Sequence, residues 1–180
     1  MPPVAPQRKT PPRVMTPERL LGEAPLWFIA VTLFISWLLN LLPWGNWPGV
    51  PDFFAICLVY WGVHAPRRVG VTVAFVGGLL LDVHNAALLG EHALAYTLMV
   101  YWAIVLRSRV MRFGPVGQTL HVFPILLVAT ATMVLVRSLL ELAWPGWWWV
   151  VDVVVAGALW PLASWLLQLP QELAAGGENA

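Results

Sequence analysis

The stretch Val59–Ala95, VYWGVHAPRRVGVTVAFVGGLLLDVHNAALLGEHALA, decides the fold. An apolar run ends in a basic turn, Pro66-Arg67-Arg68, and a second run follows that is interrupted by a single acid, Asp82. A carboxylate inside so hydrophobic a segment is costly unless neighbouring helices supply it with partners. The rest of the chain is read outward from that requirement.

Of 180 residues, 59% are hydrophobic and 11% charged, with a mean hydropathy of +0.74. That balance is too apolar for the surface of a water-soluble domain and identifies an all-α integral membrane protein. Twelve tryptophans agree, since indole rings favour the boundary between hydrocarbon and head groups. A net charge of +1 excludes the concentrated basic face that nucleic acid requires. The single cysteine, Cys57, allows no intramolecular disulfide.

Residues 1–24 form a separate piece. Six prolines with Arg8, Lys9, Arg13 and Arg19 cannot bury enough apolar surface to offset ordering, which predicts a disordered tail. The basic tail and the apolar run after it look like a signal peptide, but no A-x-A-like cleavage site follows, which predicts an uncleaved anchor.

About 20 apolar residues are needed to cross the hydrocarbon core. Six segments approach that length: Pro25–Leu42, Pro51–Ala65, Val69–Leu89, His92–Leu106, Gln118–Ala143 and Trp147–Leu169. They predict a six-helix membrane domain over 25–169, followed by a short tail at 170–180. The arginines test the count. Four basic residues in the tail, Arg67 and Arg68 in one loop, and Arg107, Arg109 and Arg112 in another place nine of ten on one side. The positive-inside rule makes that side, and both termini, cytoplasmic. Trp44, Trp47, Trp144, Trp147, Trp148 and Trp149 then all fall at the outer boundary. Pro124 and Pro161 are expected to kink the fifth and sixth spans.

The tenth basic residue, Arg137, lies inside a span. Counting about 1.5 Å per residue puts it roughly 25 Å across, and Asp82 roughly 20 Å along its own helix. Asp152 also falls in the outer half, and Asp52, His84, Asn85, Glu91, His92 and Glu141 lie at similar depth or just above. Two explanations compete. Arg137 pairs with Glu141 one turn away and the rest are interfacial, or Asp82, Arg137, Glu141 and Asp152 form a charge network around an outward-facing cavity or groove.

Gly70, Ala74, Gly78 and Asp82 recur every four residues and share one helix face. Small residues at that spacing let a second backbone come close, which is how helices associate in lipid. Catalytic and metal sites are not expected. Asp82 and His84 are two residues apart and point about 200° apart on a helix, so they cannot act on one atom unless the helix breaks there, a break that Asn85 and Gly90 make possible. His64 and His121 lie near one boundary, His84 and His92 near the other. No HExxH, CxxC, Gly-x-Ser-x-Gly or phosphate-loop pattern is present; an enzyme is not predicted, and no cofactor is implied.

Leu42-Pro43-Trp44, Tyr60-Trp61, Ala65-Pro66-Arg67-Arg68-Val69-Gly70-Val71, Ala74-Phe75, Gly78-Leu79-Leu80-Leu81-Asp82, Leu89-Gly90 and His92-Ala93-Leu94-Ala95-Tyr96 together resemble the MreD family of bacterial rod-shape-determining membrane proteins. The likeness continues at Gln118 and at Gly157-Ala158-Leu159-Trp160-Pro161 and spans about Leu26–Leu167. The proline-rich tail falls outside it.

The resemblance implies a non-enzymatic scaffold subunit of the lateral peptidoglycan synthesis complex in the inner membrane. Its partners there are MreC, the actin-like MreB filament, RodA and a class B penicillin-binding transpeptidase. It also implies an architecture similar to the six-helix substrate-binding subunits of energy-coupling-factor transporters, whose site opens outward. Carried onto this sequence, it assigns Gly70, Ala74, Gly78, Asp82, Trp160 and Pro161 to helix packing beside a partner-facing surface, and Arg67 and Arg68 to the cytoplasmic face. The competing classes are a small-molecule-binding transporter subunit with an outward-facing site and an intramembrane hydrolase.

Overall fold

In the computed structural model the described residues form six α-helices: α1 Leu26–Leu41, α2 Phe53–His64, α3 Val71–His84, α4 Glu91–Val110, α5 Pro115–Glu141 and α6 Trp148–Gly177. The structure describes residues 24–44, 49–142, 144 and 146–177, the last seven as backbone alone. The expected disordered tail up to residue 23, the end of the short C-terminal tail and Trp47 lie outside the described residues. Among the described residues, three helices are long and apolar enough to cross a membrane: α4, α5, and α6 up to Pro170. The other three are shorter apolar helices.

The short α2 is the centre of the bundle. Its sequence, FFAICLVYWGVH, has no polar face, and a helix that is hydrophobic all round must be surrounded. Phe54–Ile56 and Leu58–Val63 are all buried. The walls are α1, α4 and α6, which pack on α2, while α3 packs on α4 and α1, and α5 joins α4 to α6. A helix enclosed by protein does not itself have to match the thickness of hydrocarbon, which is how 12 residues, about 18 Å of rise, suffice here.

Aromatic contacts fix the neighbours. Trp61 donates its indole N–H to Thr32 Oγ1 of α1 (2.9 Å) and meets Phe28 edge-on at 5.9 Å between ring centroids. Tyr60 faces the wholly buried Trp160 of α6 at 6.3 Å. Trp160 in turn donates to Gln118 Oε1 on α5 (3.3 Å), and Gln118 donates to the Phe113 carbonyl just before α5 (3.1 Å).

The third helix stops earlier than the apolar run suggests, at His84 rather than Leu89. The Asn85 amide closes the helix on Leu81, and the Ala87 amide folds back onto the Asp82 carbonyl. Ala86 takes a left-handed φ of 49°, so residues 85–90 form a turn. Asp82 therefore lies in the last turn of its helix and not in the middle of a span. The last helix, by contrast, runs on through Pro161 and Pro170 to Gly177, and α5 runs through Pro124.

Candidate functional site

Successive helices alternate in direction, so the C-termini of α1, α3 and α5 share one end of the bundle with the N-termini of α2, α4 and α6. Helix N-termini expose amide donors and carry partial positive charge. Three acids of the sequence stand at those starts. Asp52 precedes α2, Glu91 opens α4, and Asp152 lies in the second turn of α6.

Asp82 is 0% exposed and reaches from α3 to the start of α4. Its Oδ1 accepts from the backbone N–H of His92 (2.9 Å) and its Oδ2 from those of Gly90 (2.9 Å) and Ala93 (3.4 Å). The His92 ring completes the set, with Nδ1 2.7 Å from Oδ1. An ionised carboxylate can only accept, so this nitrogen carries the proton and donates. Asp82 is thus an N-cap supplied by a different helix. The local residue, Gly90, has no side chain and holds φ at 101°, a left-handed conformation glycine adopts at little cost.

Gly78 makes that reach possible. It lies one turn before Asp82, where a Cβ would sit 2.6 Å from the Cα and N of Ala93. The α3 backbone therefore lies directly on the first turn of α4. Ala74, Gly77 and Leu81 are buried on the same face, while Val73, Phe75, Val76, Leu80 and Val83 on the opposite face point outward.

Asp52 caps α2 in the ordinary way through Ala55 N–H (2.8 Å) and also draws in two other helices. Its Oδ1 accepts from Asn40 Nδ2 of α1 (2.6 Å), and its Oδ2 accepts from the Tyr96 hydroxyl of α4. Asn40 returns a bond by accepting from Phe53 N–H (3.1 Å). Tyr96 follows His92 by one helical turn, and the two rings meet edge-on at 5.8 Å. The two caps are thereby joined through α4.

The remaining helices attach at the same end. Arg137 of α5 pairs with Glu91 of α4 (Nη2 to Oε1, 3.2 Å), the carboxylate buried and the guanidinium partly open. Asp152 of α6 accepts from Gly49 N–H in the α1–α2 connection (2.6 Å). Asp52, Asp82, Glu91 and Asp152 thus tie all six helices together at one end.

The expected network of Asp82, Arg137, Glu141 and Asp152 divides differently. Arg137 takes Glu91, Asp82 takes His92 and the α4 amides, Asp152 takes the Gly49 amide, and Glu141 is exposed. The physical reason is the turn at residues 85–90. It brings helix amides to Asp82, and amides satisfy a buried carboxylate without burying a second charge. Most of the small-residue stripe is likewise turned inward. Ala74, Gly78, Asp82 and Trp160 are buried within the chain, while Gly70, just before α3, and Pro161 are half-buried. Asn40 carries no expectation from the sequence, and Tyr96 none beyond its place in the family-like run His92-Ala93-Leu94-Ala95-Tyr96. The signal for Asp52 is present: an Asp between a proline and an apolar helical run is an N-cap pattern.

The opposite end is basic. Arg68 donates to the Ala24 carbonyl, and Arg107 Nε to the Val63 carbonyl (2.6 Å). Arg67, Arg109 and Arg112 are exposed there. Among the described residues, no group of three or more His, Cys, Asp and Glu is arranged to hold a metal ion.

A family model described as "rod shape-determining protein MreD" matches residues 22–169. A similar curated protein is the "Rod shape-determining protein MreD" of Haemophilus influenzae, 29% identical over 149 residues, which are 79% of this chain and 90% of that protein. No solved structure matches. The matched region takes in every capped helix start and every inter-helix bond at the acidic end, and the chain belongs to the MreD family of rod-shape-determining membrane proteins.

Proposed function

We propose that this chain is a six-span scaffold subunit of the lateral wall-synthesis complex in the bacterial inner membrane, with no catalytic step of its own. In this reading both termini and the basic end face the cytoplasm. The bundle holds MreC, and through it RodA and a class B penicillin-binding transpeptidase, while the basic loops lie near the MreB filament. The likeness to substrate-binding subunits of energy-coupling-factor transporters is part of the same reading and concerns helix arrangement alone.

The observation that supports a scaffold most is the use to which the acidic end is put. Asp52, Asp82, Glu91 and Asp152 are engaged in joining one helix to another, and the outward faces of α1, α3 and α6 are apolar. Such a bundle offers rigid faces at lipid level, suited to the span of a partner.

The test is affinity purification of the tagged chain from membranes, scored for MreC and for bound small molecules by mass spectrometry. Co-purification of MreC with no stoichiometric ligand is the expected result. A folded chain that carries a small molecule and no MreC would replace the scaffold with a transporter subunit.

A further inference from the structure

We propose that the basic end of the bundle is a docking surface for anionic phospholipid head groups, formed by Arg67, Arg109 and Arg112 and seated by Phe113 and Val116. The first observation is the separation of charge. Among the residues whose side chains are described, the carboxylates Asp52, Asp82, Glu91, Glu141 and Asp152 all fall at the end opposite these arginines. The second is a division of labour among the guanidinium groups. Arg68 and Arg107 each hold a backbone carbonyl, of Ala24 and Val63, and so fix the connections at this end. Arg67, Arg109 and Arg112 are exposed.

The third observation selects lipid over an acidic protein segment. The connection between α4 and α5 that carries Arg112 also turns out Phe113 (48% exposed), and the first turns of α5 turn out Val116 (77%) and Leu120 (79%). Apolar side chains next to exposed arginines match a bilayer boundary, where hydrocarbon takes the former and phosphate oxygens the latter. An acidic peptide in water would offer nothing to Phe113, Val116 and Leu120. The guanidinium fork suits phosphate because two parallel N–H groups meet two oxygens.

The proposal rests on the chain crossing a bilayer, so incorporation of the purified full-length protein into phosphatidylcholine vesicles is scored first. Native mass spectrometry then compares retention of phosphatidylglycerol and phosphatidylcholine from an equimolar mixture. The wild type is expected to retain phosphatidylglycerol preferentially, and Arg67→Gln, Arg109→Gln and Arg112→Gln together to lower the preference by about fivefold for each arginine removed. Arg112→Lys retains most of it. Phe113→Ser with Val116→Ser is expected to weaken retention of both lipids. Incorporation with equal retention of the two lipids, or an unchanged preference in the triple variant, overturns the docking surface and leaves the scaffold intact. Binding of a poly-glutamate peptide in place of phosphatidylglycerol overturns it in favour of a protein partner, and failure to incorporate overturns the membrane reading itself.

Discussion

Asp82 belongs to α3 by sequence and to α4 by the bonds it makes. Three amides and an imidazole of the next helix converge on its carboxylate, and a buried donor left without an acceptor is costly. Asp82→Ala is therefore expected to destabilise the protein by on the order of 2–4 kcal/mol, and Asp82→Asn, which keeps one acceptor oxygen, by roughly half as much. Unfolding of the purified protein in detergent, followed by circular dichroism, measures the difference; equal losses for the two variants would show that the cap is not what matters. Gly78 is tested by a sharper contrast. Because an added Cβ meets backbone atoms of Ala93 at 2.6 Å, Gly78→Val is expected to cost on the order of 3 kcal/mol, and pairing it with Ala93→Gly should bring no recovery. Recovery in the double variant would mean that side chains rather than backbones set the α3–α4 distance.

At the scale of helices, the same end of the bundle is tied by an ion pair with unequal members. Glu91 is buried while the Arg137 guanidinium is partly open to its surroundings, so removing the arginine harms more than removing both. Arg137→Gln is expected to cost about 1–3 kcal/mol and the double change Arg137→Gln with Glu91→Gln less than the single one, a coupling of about 1 kcal/mol in a double-mutant cycle. Additive effects would place the two residues out of contact. At the opposite end Gln118→Leu leaves the buried indole N–H of Trp160 without its acceptor, at about 1–2 kcal/mol.

Much of this arrangement is readable in the residues, and the remainder for physical reasons is not. Hydropathy and arginine spacing mark six segments whose helices are all present, because both depend on single residues and local averages. Of the spacing Gly70, Ala74, Gly78, Asp82, the last three mark a face that the fold turns inward. What spacing cannot mark is a partner chosen by a turn. Asp82 meets His92 and not Arg137 because Ala86 and Gly90 reverse the chain within six residues, and a periodic count carries no record of that reversal. Tyr96 and Asn40 escape notice for a related reason: a tyrosine and an asparagine in apolar runs are chemically unremarkable until Asp52 is set between them.

For the molecule as a whole, alternation of helix direction gathers Asp52, Asp82, Glu91 and Asp152 at one end and Arg67, Arg68, Arg107, Arg109 and Arg112 at the other, and in the proposed reading those five arginines mark the cytoplasmic side. The most direct test of six crossings is cysteine accessibility in intact cells, in a Cys57→Ser background with single cysteines at Trp44, Arg67, Ala86, Arg112 or Trp147. Labelling by a membrane-impermeant maleimide is predicted for Trp44→Cys, Ala86→Cys and Trp147→Cys without permeabilisation, and for Arg67→Cys and Arg112→Cys only after it. Labelling of Arg67→Cys or Arg112→Cys in intact cells, or protection of Ala86→Cys alone among the three acidic-end sites, would contradict the account.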